Sequence, residues 1–146
     1  MRRNLGTLMQ VPALRSPHHK TTGLVYFARM LDKIRLHAAG QLPAEYHSNL
    51  GGGFDEFCCR FLWIDYPALV ERAKSGGSDE ALLEWAFQQG RRPDALEQKI
   101  WTDFMLKRGW KDDASDRLLQ RKAESGLACR EDIQTMFDYI DADEGR

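Results

Sequence analysis

A chain of 146 residues with 42% hydrophobic and 29% charged side chains is long enough to bury a core and ordinary for a globular protein. Its formal net charge of −1 excludes a global bias toward nucleic acid or anionic lipid, and no apolar run approaches the roughly 20 residues of a membrane-spanning helix. Three cysteines, two of them adjacent, do not make a secreted disulfide framework.

Residues 1–21, with Gly6, Pro12 and Pro17, read as an extended or poorly ordered arm ahead of one helical domain spanning 22–146. Arg2-Arg3 are followed by Asn4, Gly6, Gln10 and Pro12 instead of a continuous apolar segment, so no export signal is expected and the location expected is cytoplasmic. His18-His19 read as solvated. Thr21 or Thr22 is a good N-cap for a first long helix running to Ala39, with Gly40 as its stop. Pro43–His47 is a short element, and Gly51-Gly52-Gly53 is a flexible turn before a helix over Phe54–Trp63.

Asp65 then caps a helix to Ser75, and Gly76-Gly77 separates it from a helix opened by Ser78 and ending at Gln89. Pro93 fits a helix N1 position, and Leu96, Ile100, Phe104, Trp101 and Met105 give a broad apolar face up to Arg108. Asp112 or Asp113 caps the next helix, which reaches Glu124. The last helix is expected over Arg130–Ile140, because Ile133, Met136, Phe137 and Ile140 recur at helical spacing. Nothing alternates as a strand. The fold class expected is all-α, a single compact bundle of about seven helices with short glycine-marked turns.

The unusual segment is Arg29–His37. Leu24, Phe27, Ala28, Leu31, Ile34 and Ala38 define a core-facing stripe, and at about 100° per residue Arg35 falls inside it. Arg29, Lys33 and His37 follow at i, i+4, i+8 along a second stripe, where aligned cations repel. Asp32 lies three residues from Arg29 and from Arg35. The acidic tail offers Asp138 and Asp141 as further partners for an internal ion-pair network. Alternatively Arg29, Lys33 and Arg35 form a site for a phosphate or carboxylate, which forked arginines suit. Asp32, His37 and His47 are the weak catalytic candidates, since histidine titrates near neutral pH.

Other motifs exclude more than they assign. The glycine turn lacks the Lys-Ser/Thr of a phosphate loop and is followed by Asp55-Glu56, which suit a helix start and repel an anion. The helix pair across 65–89 puts Asp79, Glu80 and Glu84 with no cation on its second member, which argues against nucleic acid. The tail fails the calcium-loop pattern because the chain ends before a bidentate Glu. No Cys or Cys-His pair has zinc-ligand spacing, so neither metal nor cofactor is expected. Cys58 and Cys59 read as small buried hydrophobes; a redox switch through a vicinal disulfide has no support in the sequence.

Four segments, Asp32-Lys-Ile-Arg-Leu-His37, Phe57-Cys-Cys-Arg-Phe-Leu62, Lys107-Arg-Gly-Trp110 and Phe137-Asp-Tyr-Ile-Asp-Ala-Asp-Glu-Gly-Arg146, resemble a family of small bacterial proteins known as domain of unknown function 5069. The resemblance spans the chain after about Arg15. It implies a soluble bacterial protein and supplies no reaction, ligand or catalytic residue. The residues favour a non-enzymatic binding or interaction module whose polar cluster sits on the first helix. Its candidate partners are a small anionic ligand or a second copy burying tryptophan surface. The competing class is a small enzyme using Asp32, His37 or His47, with Arg29, Lys33 or Arg35 orienting an anionic substrate.

Overall fold

The computed structural model describes residues 11–146. Two short strands, β1 (Lys20–Thr21) and β2 (Leu24–Val25), pair antiparallel, with Lys20 opposite Val25 and Thr21 opposite Leu24. There follow α1 (Phe27–Ala38), a 3-10 segment (Ala44–Asn49), α2 (Phe54–Leu62), α3 (Tyr66–Lys74), α4 (Asp79–Gln89), α5 (Ala95–Lys107), α6 (Ser115–Glu124) and α7 (Met136–Asp143). The architecture is all-α, as the periodicity predicts. Among the described residues no helix is long and apolar enough to cross a membrane.

α1 is the central element. It packs on α3 and α4, while α5 packs on β2 and α7, and α6 closes on α7. Every residue from Phe27 to Ile34 is buried, so this helix has no solvent face over its first two turns. Its apolar side chains Phe27, Met30, Leu31 and Ile34 join Leu62, Leu69, Leu82, Leu83 and Phe137 in the main core. A second cluster gathers Leu118, Leu127, Ile133 and Tyr139 beneath α6 and α7.

The helix termini follow from local chemistry. Asp65 and Ser78 accept from the backbone N–H of Ala68 and Ala81, as their positions predict. The helix after Pro93 starts two residues later, at Ala95, because Asp94 and Glu97 form a reciprocal capping box that takes precedence over proline at N1. The last helix begins at Met136, not Arg130. Thr135 caps it, and the buried Lys122 ammonium satisfies the Arg130 and Ile133 carbonyls of the preceding turn at 2.6 and 3.2 Å. Ile133 is therefore buried from a turn, which periodicity mistakes for a helical position.

The N-terminal region differs most from expectation. Residues 1–10 of the expected arm lie outside the described residues. Over 11–21 the chain is held against the bundle: Leu14 is fully buried with Leu36 and Leu42, and Pro17 accepts from the Tyr26 N–H at 3.1 Å. His18, though exposed, lays its ring edge-on to Phe137 at 5.2 Å. Thr21 and Thr22 are not helix caps. Thr22 and Gly23 both have positive φ, 47° and 88°, the pairing that closes a two-residue hairpin turn. The helix thus starts at Phe27, with Tyr26 as its cap residue at φ 77°.

On α5 the expected broad apolar face divides. Trp101 and Met105 are buried, with Trp101 Nε1 donating to the Val25 carbonyl at 3.1 Å, whereas Leu96, Ile100 and Phe104 form an exposed stripe. Cys58 and Cys59 are buried free thiols, and burial raises both, Cys59 to about 12. They sit in the core as protonated apolar groups.

Candidate functional site

Tyr26, Arg29 and Lys33 recur at i, i+3, i+7 and therefore share one face of α1. That face forms the floor of a cleft of about 740 Å³. Tyr46 of the 3-10 segment, the Gly52-Gly53 turn, Arg117 and Arg121 of α6, and Tyr139 and Glu144 complete its walls.

Two connected polar groups make up the floor. In the first, Tyr26 Oη donates to Asp55 Oδ1 at 2.7 Å, and Lys33 Nζ lies 3.0 Å from Tyr26 Oη and 2.8 Å from Asp55 Oδ1. Asp55 is wholly buried and also accepts from the Gly51 N–H at 3.0 Å. In the second, Arg29 forks onto Glu144 with contacts of 2.9 and 2.6 Å, and Tyr46 Oη and Arg146 Nη1 complete the same carboxylate at 2.8 and 2.6 Å. Arg29 also donates to the Arg15 carbonyl at 3.0 Å.

Burial is the largest influence on these groups. It lowers the Lys33 ammonium below the ordinary lysine range, although Asp55 opposes it. It raises the Tyr26 phenol well above its ordinary value, helped by the Asp55 charge. Burial also pushes Glu144 upward, but hydrogen bonds from Arg29, Arg146 and Tyr46 outweigh it and hold the carboxyl below its usual value.

The backbone at Tyr26 is strained. A bulky non-glycine residue at φ 77° is rare and survives only where its surroundings over-determine it. Here the Tyr26 N–H is bound by Pro17, its hydroxyl by Asp55, and its ring by Phe54 edge-on at 5.7 Å and Phe137 at 6.2 Å.

The residues singled out by sequence do not gather in one place. Arg29 and Lys33 reach the cleft, both more buried than the helical wheel predicts. Arg35, expected in the core, is about a third exposed (34%) and pairs with Asp79 at 2.7 Å. The inversion arises because α1 is buried on both stripes, and its last turn, where Arg35 sits, emerges toward the α3–α4 turn at Gly77. Asp32 is taken by Arg15, through contacts of 2.9 Å to its backbone N–H, Nε and Nη2, and lies 3.9 Å from Arg35.

Neither tail acid meets the Arg29–His37 cations. Asp138 accepts from the Gln134 N–H at the start of α7, and Asp141 holds Ser16, His18 and Arg146. Glu144, Asp55 and Asp79 are the counter-ions. The His37 and His47 rings meet edge-on at 4.9 Å, but both residues are exposed, and none of Asp32, His37 and His47 lines the cleft. No acid–base set of Asp32, His37 and His47 is assembled there.

Sequence reasoning misses Tyr26, Asp55, Glu144, Arg117 and Arg121. Asp55 reads as an ordinary helix-start acid, yet it turns inward. The Thr22-Gly23 pair is the available signal for a hairpin that would start α1 late and place Tyr26 at its cap.

The carboxylates around the cleft are engaged. Glu144 is held by three partners, and Glu45, Glu124 and Asp143 each have interactions of their own. Arg108 pairs with Asp112 and Asp113. Arg117 and Arg121, one turn apart on α6, have no carboxylate within ion-pair distance among the described residues.

A family model described as a domain of unknown function (DUF5069) matches residues 11–146. No curated protein matches the chain.

Proposed function

Because the chain belongs to the DUF5069 family, whose description assigns no reaction, we propose its function from the cleft: a binding protein for a small anionic molecule, a phosphate or carboxylate compound. The observation that carries this reading is the pair of guanidiniums, Arg117 and Arg121, on the wall of the cleft. Arg29 and Lys33 on its floor are matched by Glu144 and Asp55, while Arg117 and Arg121 stand on its wall with no carboxylate within ion-pair distance among the described residues. Two guanidiniums one turn apart can hold one anion through several charge-assisted hydrogen bonds. A volume of about 740 Å³ falls within the range of small-molecule sites.

A ligand that binds only the folded state raises its stability. Inorganic phosphate, sugar phosphates and dicarboxylates should therefore raise the melting temperature. The Arg117→Gln/Arg121→Gln variant should lose at least about tenfold in affinity while keeping its unliganded stability, since charged hydrogen bonds are worth about 1.5–3 kcal/mol each. No shift with any anion, or an undiminished shift in the double variant, would refute the reading.

A further inference from the structure

The floor of the cleft holds a lysine of an unusual kind. A buried ammonium in a protein is ordinarily fixed on backbone carbonyls or locked against a carboxylate inside a solid core, as Lys122 is fixed on Arg130 and Ile133. Lys33 is likewise paired with a carboxylate and keeps only 7% of its side-chain exposure, but it also lines a cleft, with a phenol hydroxyl 3.0 Å from its nitrogen. Asp55, the carboxylate behind it at 2.8 Å, is fully buried.

We propose that Lys33 is a nucleophile toward carbonyl compounds, its Nζ condensing with an aldehyde or ketone borne by the anionic ligand while Tyr26 Oη relays the protons. This deepens the anion-binding reading and rests on it for the ligand's charge.

The step balances without any other reactant. The ammonium gives one proton through Tyr26 to the carbonyl oxygen as the freed amine adds to the carbonyl carbon, giving a carbinolamine whose nitrogen keeps two protons and the positive charge. Returning a second proton to that oxygen through the same hydroxyl releases water and leaves a protonated imine. Overall, one ammonium and one carbonyl become one iminium and one water, with no change in charge or oxidation state. Asp55 therefore faces a cation both before and after the reaction.

Three features favour this chemistry over a merely structural pair. Burial makes the amine easier to deprotonate than an exposed lysine, the condition for a nucleophilic lysine. The relay hydroxyl is held in place by a strained backbone that its surroundings enforce. Arg117 and Arg121 supply the means to hold an acidic group while the carbonyl reaches the floor.

Pyridoxal phosphate, an aldehyde carrying a phosphate, is a direct probe, with borohydride reduction to trap the imine and peptide mapping to locate it. The exposed Lys99, with 72% of its side chain accessible, serves as an internal reference within the wild-type protein. Lys33 should be trapped faster than Lys99, Lys33→Arg should abolish that fast adduct, and Tyr26→Phe should slow it by at least about tenfold. Inorganic phosphate should protect Lys33 and leave Lys99 unaffected.

Fast trapping that phosphate does not slow would support the nucleophile and overturn the anion reading. Phosphate binding without preferential trapping at Lys33 would overturn the nucleophile and leave the anion reading standing. The Lys33-to-Lys99 comparison requires no variant, so a folding defect in either substitution cannot mask the result.

Discussion

Replacing Arg29 and Arg35 in turn by leucine tests which cation α1 commits to the interior. Arg29 and Glu144 retain only 5% and 3% of their side-chain exposure, and their fork has contacts of 2.9 and 2.6 Å. Removing one partner of a buried pair costs about 3–5 kcal/mol, because the other charge is left in a poor solvent. Glu144 keeps Tyr46 and Arg146, which places Arg29→Leu near the lower end, about 3 kcal/mol. Arg35 is 34% exposed, and its partner Asp79 keeps Arg15 at 2.8 Å. Exposed pairs are worth about 0.2–1 kcal/mol, so Arg35→Leu should cost less than about 1 kcal/mol. Urea unfolding at neutral pH measures both, with an unchanged slope as the check on two-state behaviour. In melting temperature the Arg29 loss corresponds to roughly 6–12 °C for a chain of this size. Arg29→Leu/Glu144→Leu should recover much of it, since neither charge is then stranded. An Arg35→Leu variant as damaged as Arg29→Leu would refute the assignment.

Acid should weaken the fold in a defined direction. Glu144 and Asp79 both have folded values held below those of free carboxyls, burial notwithstanding, by their arginine partners. Each therefore contributes stability that is present above about pH 4 and lost as pH falls through the depressed folded values. Glu144→Gln should lower neutral stability and flatten the acid limb of a stability-against-pH curve; an acid limb as steep as the wild type's would contradict the linkage. Gly90→Ala should be severe, because an added Cβ would lie 1.9 Å from the Leu62 carbonyl oxygen and 2.6 Å from that of Trp63. Moving two backbone segments should cost about 3 kcal/mol or more, at the upper end of overpacking losses. Gly40→Ala meets no atom within 4 Å and should show only the cost of its φ of +70°, about 1–2 kcal/mol. Comparable melting temperatures for the two alanine variants would argue against the close approach at Gly90.

The helices were legible because their signals are local. Asp65 and Ser78 announce themselves as caps, and the glycine and proline breaks between the helices need no partner to be read. The site was legible only in half. Arg29 and Lys33 stand out as cations that a helical wheel cannot place in solvent without repulsion. Their counter-ions carry no such mark: Glu144 sits 115 residues from Arg29, in a tail whose nearer acids Asp138 and Asp141 look equally available. Which acid turns inward depends on how α7 ends against α1, a tertiary fact. Arg35 was misjudged for a related reason. A wheel distinguishes two stripes of a helix, but it cannot say that both are covered.

The position of Glu144 and Arg146 has a consequence for how the protein comes into being. Synthesis delivers α1 first, and Lys33 and Arg35 meet Asp55 and Asp79 while translation continues. Among the described residues Arg29 has no carboxylate partner until residue 144 arrives, and Arg146 then also ties down the Leu14 carbonyl. A nascent chain can thus gather its first four helices around an unfinished cavity whose last wall and last counter-charge come together only when residues 136–146 arrive. Chains stalled before residue 144 should remain protease-sensitive around α1, and ligand competence would mark the arrival of Glu144.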